Sequence, residues 1–157
     1  MDLDTLLNKN QKEAATYLDS HLRIIAGAGS GKTRVVTYRI AHLIQDVGID
    51  PRSILAITFT NKAANEMKER VNEVVGIHGS GTLICTIHSL CVRFLRQHIN
   101  VLNYPSNFTI MDEEDQKALI KKLYTQLEID AKVISIKSMI NTISSYKTAR
   151  VSPQRAI

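Results

Sequence analysis

The stretch Ala26-Gly27-Ala28-Gly29-Ser30-Gly31-Lys32-Thr33 decides the fold expected of this chain. It follows the apolar run Leu22–Ile25 and precedes a helical pattern of apolar residues from Val35 to Leu43. A strand, a glycine-rich loop and a helix in this order form a P-loop, whose backbone N–H groups and helix dipole bind phosphate. Lys32 adds a positive charge for the β- and γ-phosphates, and the hydroxyl of Thr33 suits Mg²⁺. The stretch therefore predicts a site for a nucleoside triphosphate.

The alternation of strand and helix continues beyond this loop. Ile54–Phe59 and Leu83–Ile87 are predicted strands, and the first of them is a continuous apolar run typical of a strand buried on both faces. Helices are predicted over 11–18, 32–47, 61–75 and 89–98. A repeat of roughly 30 residues is the length of a βαβ unit. We therefore expect an α/β fold with a parallel sheet, flanking helices and ligand sites at the carboxyl ends of the strands.

The pattern changes after Asn107. Acidic residues at 112–115 suit the positive end of a helix, and a second helix is predicted over 134–146. No strand is expected from residue 111 onward. We therefore expect an α/β domain over 1–110 and a partial helical segment over 111–157. Two helices alone make a poor core, so we expect the chain to be part of a longer protein.

Composition and charge narrow the classes of protein. The 157 residues are 44% hydrophobic and 22% charged, which is ordinary for a globular domain. No apolar run approaches the roughly 20 residues that span a bilayer, and the acidic N-terminus lacks the order of a signal peptide, so no membrane partner is expected. Two cysteines are too few for a disulfide scaffold and favour a reducing cytoplasm.

The net charge of +5 is concentrated near the C-terminal end. Asp130 is the last acidic residue, and five basic residues follow it: Lys132, Lys137, Lys147, Arg150 and Arg155. A basic excess suits a polyanionic partner such as nucleic acid. A solvated tail has the same composition, and charge alone favours neither alternative.

Four ordered motifs resemble one family. Leu7-Asn8-x-x-Gln11 precedes the loop, Ile57–Met67 follows the second predicted strand, and Cys85–Cys91 follows the third. With Ala26–Thr33, these are similar in order and spacing to the Q motif and motifs I, Ia and Ib of superfamily 1 DNA helicases of the UvrD/PcrA/Rep type. The segment that begins at Phe108 resembles the start of that family's helical insertion. The resemblance covers nearly the whole chain and implies a RecA-like P-loop NTPase domain followed by part of the insertion.

The resemblance implies roles in binding ATP and Mg²⁺. Gln11 would hydrogen-bond the adenine edge, because a side-chain amide both donates and accepts. Lys32 would act in catalysis, and Thr33 would also ligate Mg²⁺. Arg34 would lie near the base or the ribose. The cofactor-binding set is Gln11, Ala26, Gly27, Ala28, Gly29, Ser30, Gly31, Lys32, Thr33 and Arg34. Ala26 stands where the strict loop pattern has glycine, which alanine replaces without strain where φ is negative.

The resemblance also implies contacts with single-stranded DNA. The residues concerned are Phe59, Thr60, Asn61, Lys62, His88 and Ser89. Hydroxyls, an amide and a cation at strand ends bind phosphates, and an aromatic ring stacks on a base. Two structural alternatives stay open: Phe59 also fits a core position, and Thr60 and Asn61 are good N-caps for the helix that follows.

The implied activity is that of a 3′→5′ DNA helicase, which couples ATP hydrolysis to translocation along single-stranded DNA and to unwinding. The family hydrolyses ATP with an Asp-Glu pair on a later strand and an arginine finger from a second RecA-like domain. Neither is evident here, so we expect the remaining helicase domains to supply them and this chain to bind nucleotide without turnover. Asp112 and Glu113 imitate the Asp-Glu pair, but helix capping explains them better.

Three alternatives to these assignments follow from the same residues. The first is a stand-alone nucleotide- or DNA-binding module that never hydrolyses ATP. The second is a small-molecule P-loop kinase, which would need an arginine-bearing lid after the third strand, where this chain has a Leu/Lys periodicity. The third is a zinc site at Cys85, His88 and Cys91, which would need a fourth ligand, whereas buried thiols are the simpler explanation.

Overall fold

The computed structural model describes residues 1–156, so Ile157 of the predicted segment 111–157 lies outside the described residues. The chain divides into two compact units, Met1–Ser106 and Asn107–Ile157. The first unit holds α1 (Leu3–Leu6), α2 (Lys9–Thr16), α3 (Lys32–Gln45), β1 (Leu55–Thr58), α4 (Asn61–Val75), β2 (Leu83–Thr86) and α5 (Ile87–His98). The second holds α6 (Glu113–Gln126) and α7 (Ile136–Thr148). Short 3₁₀ helices are Pro51–Ser53, Gly76–Gly79, Ile99–Leu102 and Pro153–Arg155.

Strands β1 and β2 form a parallel pair. Leu55 lies opposite Leu83 at one end, and Thr58 lies opposite Thr86 at the other. Helix α4 connects the two strands, which is the arrangement of a βαβ unit. The structure therefore confirms the predicted α/β class, with a short parallel sheet and flanking helices.

Two hydrophobic clusters hold the first unit together, and α3 belongs to both. The larger cluster joins α3, β1, α4 and β2 through Ile40, Ala41, Ile54, Ala56, Met67, Val71, Val75 and Ile84. The smaller cluster packs the N-terminal helices against the start of α3 through Leu3, Leu7, Ala15 and Val35. Because α3 follows the glycine-rich loop directly, both clusters fix the position of that loop.

Helix α4 forms where local sequence signals agree. The side chain of Thr60 caps it by accepting a hydrogen bond of 3.1 Å from the N–H of Ala63. Ala64, Met67 and Val71 recur at helical spacing and are all buried. Gly76, with a φ of 62°, ends the helix in a conformation that glycine adopts without strain. The predicted helix over 61–75 and the capping role of Thr60 are confirmed.

The predicted strand Leu22–Ile25 is wrong. This segment carries no strand assignment, and Ile25 is 82% exposed. A strand is defined by hydrogen bonds to a neighbour, and within residues 1–156 the sheet consists of β1 and β2. The prediction rested on the apolar composition of the segment. A strand also needs a neighbouring strand to pair with, and composition does not show whether one is present.

The predicted burial of Ile54–Phe59 on both faces is also wrong. Ala56 is buried, whereas Leu55 and Ile57 are about half exposed. Helices α3 and α4 bury their apolar residues against Ala56 and Ile84, so only that face of the sheet contributes to the core. Phe59 lies beyond the end of β1 and is fully exposed, which excludes the core alternative for this residue.

The second unit consists of α6 and α7, which pack on each other. Asp112 caps α6 by accepting hydrogen bonds of 2.8 Å from the N–H groups of Glu114 and Asp115. Ser135 caps α7 by accepting a bond of 3.1 Å from the N–H of Ser138. Residues 107–156 contain no strand, as predicted. Within residues 1–156, none of the helices has the length and apolar content needed to cross a membrane.

An ion pair fastens the C-terminal end of α3. Nδ1 of His42 lies 2.8 Å from Oδ2 of Asp46, and the N-terminal amine lies 3.1 Å from Oδ1. The hydrogen bond from His42 and then that from the amine hold the pKa of the Asp46 carboxyl below its ordinary value. Because folding lowers this pKa, the stabilisation is present above the ordinary pKa of aspartate and is lost as the pH falls through the lowered value.

We expect Val71→Ala to lower the free energy of unfolding of the first unit by about 1.5–3 kcal/mol. Val71 is 1% exposed, so the substitution removes two buried carbons and leaves a cavity. Urea denaturation followed by circular dichroism measures the change. Ile77→Ala is the matched control: Ile77 is 85% exposed, and its truncation should cost no more than about 0.5 kcal/mol. Equal losses in both variants would contradict the core described above.

Candidate nucleotide and nucleic-acid site

The glycine-rich loop ends in a helix start that has no side-chain cap. Gly29 and Gly31 have φ values of 75° and 83°, which favour glycine. Gly31 occupies the N-cap position of α3 and has no side chain to accept from the first-turn N–H groups. Those groups, with the positive end of the helix dipole, are therefore oriented to receive an anion.

Lys32 lies folded over the loop that precedes it. Its Nζ donates a 3.0 Å hydrogen bond to the carbonyl of Ala26 and a 2.6 Å bond to that of Gly27. The residue is exposed, so its ammonium group is accessible to a ligand. An ammonium group has three donors, and Lys32 therefore has the charge and position required to bind phosphate oxygens at the loop.

Thr33 lies beside Lys32 in the first turn of α3. It is exposed, and its backbone carbonyl accepts a 3.0 Å bond from the hydroxyl of Thr37. A threonine hydroxyl is a hard oxygen donor of the kind Mg²⁺ accepts, with phosphate oxygens and water completing the octahedron. Residues 1–156 hold no group of three or more His, Cys, Asp or Glu side chains arranged to bind a metal. The Thr33 hydroxyl is thus one oxygen ligand of the kind that suits Mg²⁺.

Gln11 lies against the loop. Its Nε2 donates a 3.0 Å bond to the carbonyl of Ser30, across 19 positions of sequence. Its Oε1 accepts a 3.1 Å bond from the N–H of Asn8, while the Asn8 side chain accepts a 3.0 Å bond from the N–H of Gln11. This reciprocal pair is a capping box at the start of α2. The structure brings Gln11 and the loop together, as the order of motifs suggested.

Arg34 is directed toward the N-terminal helices. Its Nη2 donates a 2.8 Å bond to the carbonyl of Leu6, and its guanidinium carbon lies 5.6 Å from the ring centroid of Tyr38. These contacts hold the guanidinium beside α1. Its role at a base or ribose stays a prediction.

The parallel register places the two predicted DNA-binding segments side by side. Thr58 and Thr86 are partners at the carboxyl ends of β1 and β2, and residues 59–62 and 88–89 follow them. All six predicted DNA-binding residues are exposed: Phe59, Thr60, Asn61, Lys62, His88 and Ser89. The edge of the sheet therefore presents an aromatic ring, a cation and several neutral hydrogen-bonding groups on one accessible surface.

Two threonines outside the predicted set of DNA-binding residues shape this edge. The Thr58 hydroxyl donates a 3.0 Å bond to the carbonyl of Thr60 and fixes the turn that carries Phe59. The hydroxyl of Thr86 lies 2.9 Å from that of Ser89 and accepts a 3.2 Å bond from the Ser89 N–H, which caps α5. A threonine three residues before a serine at a strand-to-helix junction is the signal that could have identified Thr86.

Two alternative sites are not supported. Cys85, His88 and Cys91 do not form a metal-binding group in the described residues, and Cys91 is exposed, so the expected burial of its thiol is wrong. The reason is that α5, which carries Cys91, buries none of its residues. Asp112 caps α6 and Glu113 lies in its first turn, which confirms the capping explanation for the Asp-Glu sequence.

The order of the motifs and their placement at one loop and one sheet edge agree with a comparison of families. Residues 7–157 match the family model of the UvrD/REP helicase N-terminal domain. The chain belongs to this family. The family match also supports the RecA-like class of the first unit.

Curated relatives include the ATP-dependent DNA helicase PcrA of three bacteria. The Bacillus subtilis protein is 46% identical over 148 residues, which are 94% of this chain and 20% of the relative. The Staphylococcus aureus Mu50 protein is 45% identical over 150 residues, 96% of this chain and 20% of the relative. The Staphylococcus epidermidis protein is 45% identical over 150 residues, 96% and 21% respectively. The chain thus spans about a fifth of the length of these helicases.

We expect Gly31→Ala to displace the side chain of Gln11. A Cβ at Gly31 would lie 2.7 Å from Nε2 of Gln11, so the amide must leave the Ser30 carbonyl. The side-chain amide resonances of Gln11 in a ¹⁵N–¹H spectrum should shift. Gly29→Ala is the matched control, because its φ is also positive but its Cβ would meet nothing within 4 Å. Both variants should lose about 1 kcal/mol of stability. Unchanged Gln11 resonances in Gly31→Ala would contradict the contact.

Proposed function

We propose that this chain binds ATP at the loop Ala26–Thr33 and single-stranded DNA at the carboxyl edge of the sheet, as the N-terminal part of a 3′→5′ DNA helicase. The observation that carries the proposal is the hydrogen bond between Gln11 and the Ser30 carbonyl. It places an amide able to recognise a base directly against a loop able to bind phosphate. The naming of the relatives as ATP-dependent DNA helicases supports the same activity for the parent protein.

Different residues are proposed to bind different parts of the nucleotide, according to their chemistry. The first-turn N–H groups of α3 and the Lys32 ammonium would bind the phosphates, and the Thr33 hydroxyl would coordinate the metal. Gln11 keeps one N–H donor and one lone pair beyond its bonds to Ser30 and Asn8, which is what the adenine edge requires. Arg34, held beside α1 by its bond to Leu6, is proposed to act near the base or the ribose.

The hydrolytic step needs groups on both sides of the γ-phosphate. Mg²⁺, when bound, would neutralise charge on the β- and γ-phosphate oxygens. Lys32 would hold those oxygens through charge-assisted hydrogen bonds and stabilise the charge that develops as the bond to the leaving group breaks. The described strands end in Thr58 and Thr86, with no Asp-Glu pair on either of them. We therefore place the base and the arginine finger in the remaining helicase domains, and expect the 157-residue chain to bind ATP without appreciable turnover.

The DNA site is proposed from exposure and chemistry. Phe59 is fully exposed, and an aromatic ring in water at a strand end is suited to stack on a base. Thr60, Asn61 and Lys62 begin α4, where backbone N–H groups, an amide and a cation bind phosphates. His88 and Ser89 extend the same edge from the neighbouring strand.

The two free thiols, Cys85 and Cys91, suit a reducing compartment, and we place the protein in the cytoplasm.

We expect Lys32→Ala to weaken binding of a non-hydrolysable ATP analogue by about 10- to 100-fold, because a charged hydrogen-bonding group is lost. Isothermal titration calorimetry with adenosine 5′-(β,γ-imido)triphosphate and Mg²⁺ measures the change. Lys122→Ala is the control, since it removes an exposed lysine from the second unit. Equal affinity of Lys32→Ala and the unmodified chain would refute the nucleotide site. Robust DNA-stimulated hydrolysis by the unmodified chain would refute its dependence on other domains.

We expect Phe59→Ala to weaken binding of a fluorescent single-stranded oligonucleotide by roughly 5- to 150-fold, the range given by loss of one base–aromatic stack. Fluorescence anisotropy at a fixed, stated salt concentration gives the affinity. Ile77→Ala removes a similarly exposed apolar side chain away from the strand ends and should bind as the unmodified chain does. If Phe59→Ala retains full affinity, the ring does not stack on DNA.

A further inference from the structure

Arg39 makes a set of contacts that the proposed function does not use. It lies in α3, and its Nη1 donates to the carbonyls of Tyr17 at 2.6 Å, Ala14 at 3.2 Å and Ala15 at 3.5 Å. These carbonyls lie at the C-terminal end of α2, where helical carbonyls have no partner within the helix. A cation there also interacts favourably with the helix dipole.

The same helix carries Gln11 at its other end. Helix α2 runs from Lys9 to Thr16, so it is a single rigid segment of eight residues between the two contacts. Its first turn is bound to the loop through Gln11 and Ser30, and its last turn is bound to α3 through Arg39. Both contacts therefore connect α2 to the segment that is proposed to bind phosphate. The Gln11 contact is with the loop before α3, and the Arg39 contact is with α3 itself.

Packing alone leaves the axial position of α2 weakly determined. Within α2, the buried contribution to the N-terminal cluster is the small side chain of Ala15, with Ala14 packed against it in part. Small side chains interdigitate little and resist sliding weakly. The carbonyls of Ala14, Ala15 and Tyr17 all contact the one nitrogen Nη1, which fixes the position of the helix end relative to α3.

We propose that Arg39 is a positioning residue, which holds α2 so that the Gln11 amide stays against Ser30 and in line with the base of the bound nucleotide. The inference rests on the proposed ATP site. It assigns to Arg39 an effect on recognition of the base, transmitted through α2, with no contact to the nucleotide. The phosphate-binding groups, Lys32 and the first turn of α3, are anchored by other contacts and keep their positions when Arg39 is removed.

The test compares a ligand that has a base with one that has none. Arg39→Met keeps an unbranched apolar stem and removes the donors. We expect it to weaken binding of adenosine 5′-(β,γ-imido)triphosphate by about three- to tenfold, the effect of one misplaced hydrogen-bonding group. Binding of inorganic tripolyphosphate should change less than about twofold. Arg93→Met, which removes an exposed arginine from α5, controls for the loss of charge and should leave both affinities unchanged.

A double-mutant cycle separates positioning from a general loss of stability. Gln11→Ala should show the same selective loss as Arg39→Met, and the double variant should bind the analogue no worse than Gln11→Ala alone. Additive losses in the cycle, or an equal loss for tripolyphosphate, overturn the proposal, because either result means that Arg39 supports the fold as a whole. Unchanged binding of the analogue by Arg39→Met also overturns it.

A second variant decides the question if Arg39→Met does not fold. Arg39→Lys keeps the charge, but its Nζ lies one bond closer to the backbone than Nη1 of arginine and falls short of the three carbonyls. The ratio of analogue affinity to tripolyphosphate affinity should then fall below that of the unmodified chain, and an unchanged ratio overturns the proposal. If the unmodified chain binds neither ligand, the proposed ATP site itself fails. If it binds both and only the selective loss is missing, the role of Arg39 alone fails.

Discussion

Helix α3 must bury apolar side chains in two directions at once, and the first unit depends on this constraint. Val35 packs with the N-terminal helices, while Ile40 and Ala41 pack against the sheet and α4. A helix held from both sides has little freedom to rotate or shift, because either cluster would lose buried area. The glycine-rich loop inherits this rigidity, since it leads directly into the first turn of α3. The groups that are proposed to bind phosphate therefore rest on a packed scaffold, although they lie on an exposed loop.

The parallel pairing of β1 and β2 fixes the position of the two segments that are proposed to bind DNA. Residues 59–62 and 88–89 are separated in the chain by most of α4, the 3₁₀ helix Gly76–Gly79 and β2, but the register of Thr58 with Thr86 makes them neighbours. Helix α4 begins at Asn61 and packs on α3, so the segment that is proposed to bind DNA and the loop that is proposed to bind ATP share one core.

Sequence analysis succeeded where the determining signals are local. The cap at Thr60, the buried residues at helical spacing and the glycine at 76 define α4 within one segment, and the helix has the predicted bounds. The loop was identifiable because its glycines, lysine and threonine are contiguous. Prediction from the sequence failed where the structure depends on distant partners. Leu22–Ile25 lacks a paired strand, and Ile57 lacks a covering layer. Cys91 lies on a helix that buries none of its residues. The contacts of Gln11 with Ser30 and of Arg39 with the end of α2 join residues 19 to 25 positions apart, and no spacing rule predicts them.

Lys32 is already hydrogen-bonded to two carbonyls, and this has a thermodynamic consequence for ligand capture. A bound anion would replace the two neutral carbonyl acceptors of Lys32 with charged acceptors. Hydrogen bonds to a charged acceptor are roughly twice as strong as those to a neutral one, and the enthalpy gained is the difference between the two kinds of bond. The carbonyls of Ala26 and Gly27 lose a donor in the same event and must find water or a rearranged loop. Such an exchange would moderate the affinity of the loop for phosphate.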